Sequence, residues 1–280
     1  MYHVGSITET AGDAGAYAGH SEGHTRRTLI GRACGSPHQE VVVAELVAGG
    51  SVAQHLHAFE EAFYVLDGQL TLEIAGAREE LTVDDYVFID RGVAHTLVNE
   101  SGELCRWFEV SAPQPGAALE DTAFIDGTAP LVAIETPYRR SHFDVAALPP
   151  PSESLGLSGF GGANVGRASL EVIVGPDTGA SQFNLMVVQY APGGFINEHD
   201  HAFEEGFFFL EGEVEASLED STHVLQAGDY CWSSVGSMHA LHNRSTGIVR
   251  WLETQVPQPP SRYQARFVGD WERFLEGGPA

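Results

Sequence analysis

The sequence predicts an all-β protein built from two copies of one domain. The segment from His55 to Gly68, HLHAFEEAFYVLDG, recurs as HDHAFEEGFFFLEG from His199 to Gly212, an offset of 144 residues. The same offset relates Asp85-Tyr86 to Asp229-Tyr230, Gly92, His95 and Asn99 to Gly236, His239 and Asn243, and Arg106-Trp107 to Arg250-Trp251. The register runs without a gap over about 28–115 against 172–259, yet only 16 of the 45 positions from 55 to 99 are identical. Each copy also alternates apolar and polar residues with the period of a half-buried strand. With 32 glycines and 14 prolines, the 280-residue chain has the turn residues such a fold needs.

Taken in order, residues 1–27 form an N-terminal arm and 28–115 the first domain. Within it, Phe63–Leu66 reads as an interior strand buried on both faces, and Leu70–Ile74 as an alternating, half-buried one. Asp67-Gly68 sits where a hairpin turn is expected, as does Glu211-Gly212 in the second copy. Residues 116–171, rich in Pro, Gly and Ser, read as linker and packing arm. The second domain covers 172–262 and contains the alternating strand Val214–Leu218. Helical periodicity is absent until Asp270–Leu275, which predicts a short helix in the 263–280 tail.

Composition narrows the function classes. The formal charge is −25, from 39 acidic against 14 basic residues, and every basic residue is arginine. Without lysine, Schiff-base chemistry is excluded. The acidic balance argues against nucleic-acid and anionic-membrane partners, and leaves a small-molecule substrate as the expected partner. The three cysteines are far apart and form no readable disulfide or metal knuckle. The N-terminus lacks the charged and apolar regions of a signal peptide, so a cytoplasmic location is expected. No apolar run approaches the roughly 18–20 residues of a membrane span.

His55, His57 and Glu61 share parity, so on an extended chain all three project to one face. His95 must then arrive from a neighbouring strand. The second copy repeats the set as His199, His201, Glu205 and His239. A lone His-x-His on a strand is usually surface or core filler. Here, a glutamate and a later histidine recur in both copies although about two-thirds of the surrounding positions differ, which points to metal ligation. Three imidazoles and a carboxylate fill four positions of an octahedron and leave two adjacent ones open, a set suited to Fe, Mn or Ni, with Zn as a further fit. Asn99 and Asn243 read as turn or backbone-pairing residues, and His242, of opposite parity to His239, as a packing histidine or one supporting the ligands. For Phe63, Tyr64, Phe88, Phe207, Phe208 and Trp232, core packing is the simpler expectation than pocket lining. The remaining histidines, His24 among them, read as ordinary.

The pattern His-x-His, three residues, Glu, six residues, Gly, followed by Gly-x-x-His-x-x-x-Asn, resembles the two signature motifs of the cupin superfamily. Both copies match at every ligand position and at Gly68/Gly212, Gly92/Gly236 and Asn99/Asn243. They depart at Asp90 and Ser234, where the family often has proline, and at Asp84, where it has glycine and the second copy keeps Gly228. These departures affect turns, not ligation. The resemblance covers about two-thirds of the chain. It implies a jelly-roll-like β-barrel in each half, one divalent transition metal per barrel, and pairing into a homodimer.

It also implies three candidate activities. The first is a dioxygenase acting on a small enolic, catechol-like or oxo-acid substrate chelated at the His3Glu site, with Glu61 or Glu205 as ligand and catalytic proton relay. The second is a non-redox isomerase, decarboxylase or ureidoglycine aminohydrolase-like enzyme. That last family uses a Glu-x-His-x-x-x-His set with a glutamine in its C-terminal cupin, and His199, His201, Glu205 and His239 depart from it. The third is a metal-dependent small-molecule binding or sensor protein.

Overall fold

Alternation of apolar and polar residues becomes a strand when its apolar face has a second face to pack on. The computed structural model of the chain, which describes residues 1–117, 120–125, 137–153, 155, 160–262 and 264–269, holds twenty such strands. They are β1 (Tyr2–Ser6), β2 (Ser21–Ile30), β3 (Glu40–His57), β4 (Glu60–Asp67), β5 (Gln69–Ile74), β6 (Ala77–Thr82), β7 (Asp85–Ile89), β8 (His95–Val98), β9 (Cys105–Ala112), β10 (Thr122–Phe124) and β11 (Tyr138–His142). There follow β12 (Val165–Val174), β13 (Asn184–Asp200), β14 (Glu204–Glu211), β15 (Glu213–Leu218), β16 (Ser221–Gln226), β17 (Asp229–Ser233), β18 (His239–His242), β19 (Val249–Val256) and β20 (Arg266–Phe267). The helix expected over Asp270–Leu275 lies outside the described residues.

The strands form two curled antiparallel sheets, one per barrel. In the N-terminal barrel the order is β11-β7-β4-β9-β3-β8-β5-β6, with β2 and β10 also paired to β3. The C-terminal barrel repeats it as β1-β17-β14-β19-β13-β18-β15-β16, with β12 and β20 on β13. The compact units are not contiguous in sequence. Ile7–Asp144 with Val174–Gln182 makes one, and Met1–Ser6, Val145–Ile173 and Phe183–Ala280 the other. The expected arm and linker thus each supply an outer strand, β1 and β11.

The repeat extends further back than sequence identity reveals. β2 and β12 begin 144 residues apart, and none of the seven positions 21–27 matches its counterpart in 165–171. The backbone still agrees: Gly23 and Arg167, at the same offset, both have positive φ, 65° and 53°.

The turn expected at Asp67-Gly68 is not a hairpin. β4 pairs with β7 and β9, while β5 pairs with β6 and β8, so the chain there passes from one wing of the curled sheet to the other. Gly68 is required by close approach: a Cβ would lie 2.4 Å from the Leu104 carbonyl oxygen, and φ is +74°. Gly212 repeats this against the Ile248 carbonyl at 2.1 Å. The hairpin lies one strand later, where Ala75 and Gly76, both at positive φ, join β5 to β6 as a type I′ turn.

Inside each barrel the inward faces build one apolar cluster. Val42, Val52, Phe63, Leu72, Val87 and Trp107 belong to the first, and Met186, Phe207, Val214, Leu241 and Trp251 to the second. These clusters wall in the polar residues at one end.

Candidate metal centres

In the N-terminal barrel, β3 and β8 bring His55 directly opposite His95, with ring centroids 4.2 Å apart. A bulge between Val52 and His55 re-aims the end of β3 just before the histidines, as β-bulges do beside functional sites. His57 stands 4.8 Å from His55, ring to ring. Glu61 is not on the same strand: the chain turns after His57 and Glu61 returns on β4. Its Oε1 lies 3.7 Å from His57 Nε2 and its Oε2 3.4 Å from His95 Nε2. All four residues are buried.

The C-terminal barrel repeats the arrangement more tightly. His199 faces His239 across β13 and β18 at 4.3 Å, again after a bulge. Oε2 of Glu205 lies 3.0 Å from Nε2 of both His201 and His239. One ligand atom each from His199, His201, Glu205 and His239 fall within 4.8 Å of one another, as do those of His55, His57 and His95.

The hydrogen bonds fix which ring nitrogen is free. Nδ1 of His55 faces the Ala53 carbonyl at 2.7 Å, and that of His95 the Val93 carbonyl at 3.0 Å. His199, His201 and His239 do the same toward Asn197, Phe203 and Ser237, at 2.8, 2.6 and 2.9 Å. Nδ1 of His57 meets the Thr122 hydroxyl at 2.9 Å. A ring nitrogen against a carbonyl must carry the proton, so the Nε2 lone pairs point inward. Among the described residues, His57 Nε2, His95 Nε2, Glu61 Oε2 and His201 Nε2 are buried without a hydrogen-bond partner. Buried polar atoms are rarely left so, and an imidazole committed at Nδ1 with a carboxylate at Nε2 needs a cation between them. A divalent metal fits both clusters.

Electrostatics agree with that donor set at three histidines, whereas at His201 the adjacent Glu205 outweighs burial and raises the pKa. Burial holds His55, His57 and His199 neutral, well below the usual imidazole range, in the form that ligates. Burial also raises Glu61. For Glu205 burial acts the same way but is outweighed by His201 and His239, which hold it well below the usual carboxylate range. The reason for this opposite direction is the tighter packing of the second cluster.

Other expected residues fall elsewhere. Asn99 donates to the Leu46 and Glu103 carbonyls, and Asn243 to Tyr190, Ala191 and Gly247, so both tie loops rather than ligate. His242 is half-buried beside Phe195 and Arg244, on the opposite face of β18 from His239. The six aromatic residues considered above are buried; Phe63 and Phe207 stand edge-on to His95 and His239 at 6.3 and 6.1 Å.

The sequence reading missed the residues that distinguish the centres. Glu109 and Glu253 are buried inside the barrels, accepting the indole N–H of Trp107 and Trp251. The repeated Trp-x-Glu at offset 144 was the available signal. Burial and the nearby Glu205 push the Glu253 carboxyl well above its usual range. Gln255 bridges to both, donating to Glu205 Oε1 at 2.9 Å and Glu253 Oε1 at 3.3 Å. In the N-terminal barrel Arg26 compensates Glu109 instead, and His24, read as ordinary from sequence, is buried beside Trp107.

The cupin domain model matches residues 42–111 and 186–254. Over 104 residues the chain is 31% identical to the tetracenomycin polyketide synthase protein TcmJ of Streptomyces glaucescens, across 36% of this chain and 70% of that one. In fold it is similar to the oxalate decarboxylase of Lactobacillus farciminis, solved as a formate complex, with a TM-score of 0.67 at 16% identity over 99% of this chain and 90% of that one. It is similar also to protein Ylba of E. coli, with a TM-score of 0.66 at 15% identity over 91% and 90%. A putative glyoxylate-induced protein of Pseudomonas aeruginosa gives 0.67 at 19% identity, over 91% and 88%. Two matched domains, two curled sheets and two buried His/Glu clusters lead to one conclusion: the chain belongs to the cupin superfamily and is a bicupin.

Proposed function

We propose that this bicupin is a metal-dependent enzyme acting on a small enolic, catechol-like or 2-oxo-acid substrate, and that it is a dioxygenase. The observation that carries the reading is the set of inward Nε2 lone pairs, each fixed by its Nδ1 contact, gathered beside one glutamate in each barrel. A divalent transition metal held there by the three histidines and the glutamate would supply Lewis acidity and, as Fe or Mn, access to O2 chemistry. The chain's own part is to hold and orient. The imidazoles are locked by backbone carbonyls or, at His57, by the Thr122 hydroxyl, the buried apolar walls exclude water, and Glu61 Oε2 is free to take the proton of an enolic hydroxyl. Dioxygenation balances without an external reductant, because the substrate supplies the four electrons that reduce O2 and both oxygen atoms end in product.

A second reading, non-redox decarboxylation or isomerisation of an oxo acid, uses the same metal centre; the oxalate decarboxylase fold likeness supports it. The two separate in one experiment. The protein loaded in turn with Fe(II), Mn(II) and Zn(II) is offered a panel of enolic and 2-oxo acids while O2 uptake and CO2 release are followed. Substrate-dependent O2 uptake with Fe or Mn supports the dioxygenase. Full turnover by the Zn(II) form under strict anaerobiosis sinks it and favours the second reading.

A further inference from the structure

The walls beside the two metal centres are built to one plan but from opposite chemistry. Tyr17 stands edge-on to His55, centroids 5.4 Å apart at 86°, and Phe160 stands edge-on to His199 at the same 5.4 Å and 86°. On β2, His24 and Arg26 occupy the positions that Ala168 and Leu170 occupy on β12, 144 residues later. At these three positions the C-terminal wall is Phe, Ala and Leu, with Phe160 and Ala168 buried and Leu170 packed on the core, and its buried phenol comes instead from Tyr190, which packs on Trp251. The N-terminal wall offers a phenol, an imidazole and a guanidinium.

That polar wall lies against the centre. The Arg26 guanidinium is 4.9 Å above the Tyr17 ring, which itself contacts His55. The His24 ring meets Tyr17 at 5.4 Å and stacks on Trp107 at 5.8 Å. Both side chains are more than nine-tenths buried, Arg26 at 9% and His24 at 7% exposure. Arg26 Nη2 donates to Glu109 and Glu40, which fixes the fork and keeps it charged. Its Nε and the Nδ1 of His24 are buried with no partner among the described residues. The ion pairs of Arg26 with Glu40 and Glu109 leave its Nε, and the neighbouring His24 Nδ1, to be satisfied from beside the metal cluster. A ligand oxygen does so.

We propose that Arg26, His24 and Tyr17 anchor the carboxylate of an anionic substrate at the N-terminal centre, and that the C-terminal centre does not take this anion. The proposal rests on the metal-dependent reading above and assigns the substrate half and its charge. A guanidinium held by carboxylates through Nη2 offers its Nε–H to a carboxylate oxygen, and a metal held by His55, His57 and His95 would supply Lewis acidity to the other end of the same small molecule. Leu170 can do neither.

The test uses the full chain loaded with Mn(II), and oxalate as the probe, followed by calorimetry and by the Mn(II) resonance signal. The expected result is one oxalate per chain, abolished by His55→Ala and retained by His199→Ala. Arg26→Leu weakens binding about tenfold or more while metal content stays at two per chain; Arg26→Lys, with charge but no fork, falls between. Tyr17→Phe and His24→Gln, which leave the Arg26 ion pairs in place, weaken binding by smaller factors and serve if Arg26→Leu does not fold. Oxalate bound by the C-terminal centre, no binding by the two-metal protein, or unchanged affinity in Arg26→Leu overturns the proposal. Metal content is read separately, so an N-terminal barrel that takes up no metal overturns instead the reading on which it rests.

Discussion

Gln255 donates its side-chain amide to Glu205 at 2.9 Å, and in the other barrel the residue opposite the equivalent Glu61 is Ser111, too short to do the same. Each glutamate faces its partner across the same strand pair, β14 on β19 and β4 on β9. One carboxylate therefore has its Oε1 held by an amide donor, and the other lacks that donor. The C-terminal centre is the more preorganised, and the N-terminal one has the freer base.

Removing that amide separates the two centres. Gln255→Leu weakens metal binding in the C-terminal barrel about 10–100-fold, the usual effect of losing a hydrogen bond that orients a ligand, and leaves the N-terminal barrel unchanged. Chelator competition on the His55→Ala and His199→Ala backgrounds measures each centre alone. Equal affinities with and without Gln255 would show that the amide does not position Glu205.

Metal stoichiometry tests both clusters directly. Elemental analysis of the native protein gives two equivalents per chain, and His55→Ala and His199→Ala each give one. A value unchanged by His199→Ala would mean that the tighter cluster is held by protons instead of metal.

His24 makes the N-terminal barrel acid-sensitive. Burial lowers its pKa from 6.5 to about 4. Below pH 6.5 the unfolded chain binds a proton there that the folded chain refuses, so stability falls as pH drops from 6.5 toward 4, by up to about 3 kcal/mol. His24→Gln removes this contribution. Urea unfolding of the metal-free protein at pH 7 and pH 4.5 is expected to show a smaller loss in the variant than in the wild type; an equal loss would place the acid sensitivity elsewhere.

The two asparagines are structural. Asn243 serves the Tyr190, Ala191 and Gly247 carbonyls and accepts the Ser245 N–H at 3.0 Å, all at a buried loop base. Asn243→Ala leaves those groups unpaired and lowers stability by about 2–3 kcal/mol in denaturant unfolding, with metal stoichiometry unchanged at two. Loss of metal without loss of stability would reverse the assignment.

Much of this was legible because it is local. His-x-His parity, the glutamate that follows and the later histidine are properties of short segments, and their repetition at a fixed offset survives wide divergence. Gly68 was legible as a required glycine but not as what it does. Hairpin turns and corners between sheet wings use the same residue, and only the pairing of β4 with β7 and β9 tells them apart. Arg26 and His24 were invisible for another reason: β2 and β12 share backbone but no identities over their first seven residues, so no repeated residue type marks them.

By itself, the sequence determined that two β domains each carry three histidines and a glutamate fit for a metal, since strand periodicity and ligand spacing are written along the chain. Tertiary structure alone decided how those ligands are completed. Cross-strand register puts Gln255 on one glutamate and Ser111 by the other, and folds Tyr17, His24 and Arg26 against one centre and Phe160, Ala168 and Leu170 against its twin. Such contacts join residues far apart in sequence, and no period along the chain encodes them.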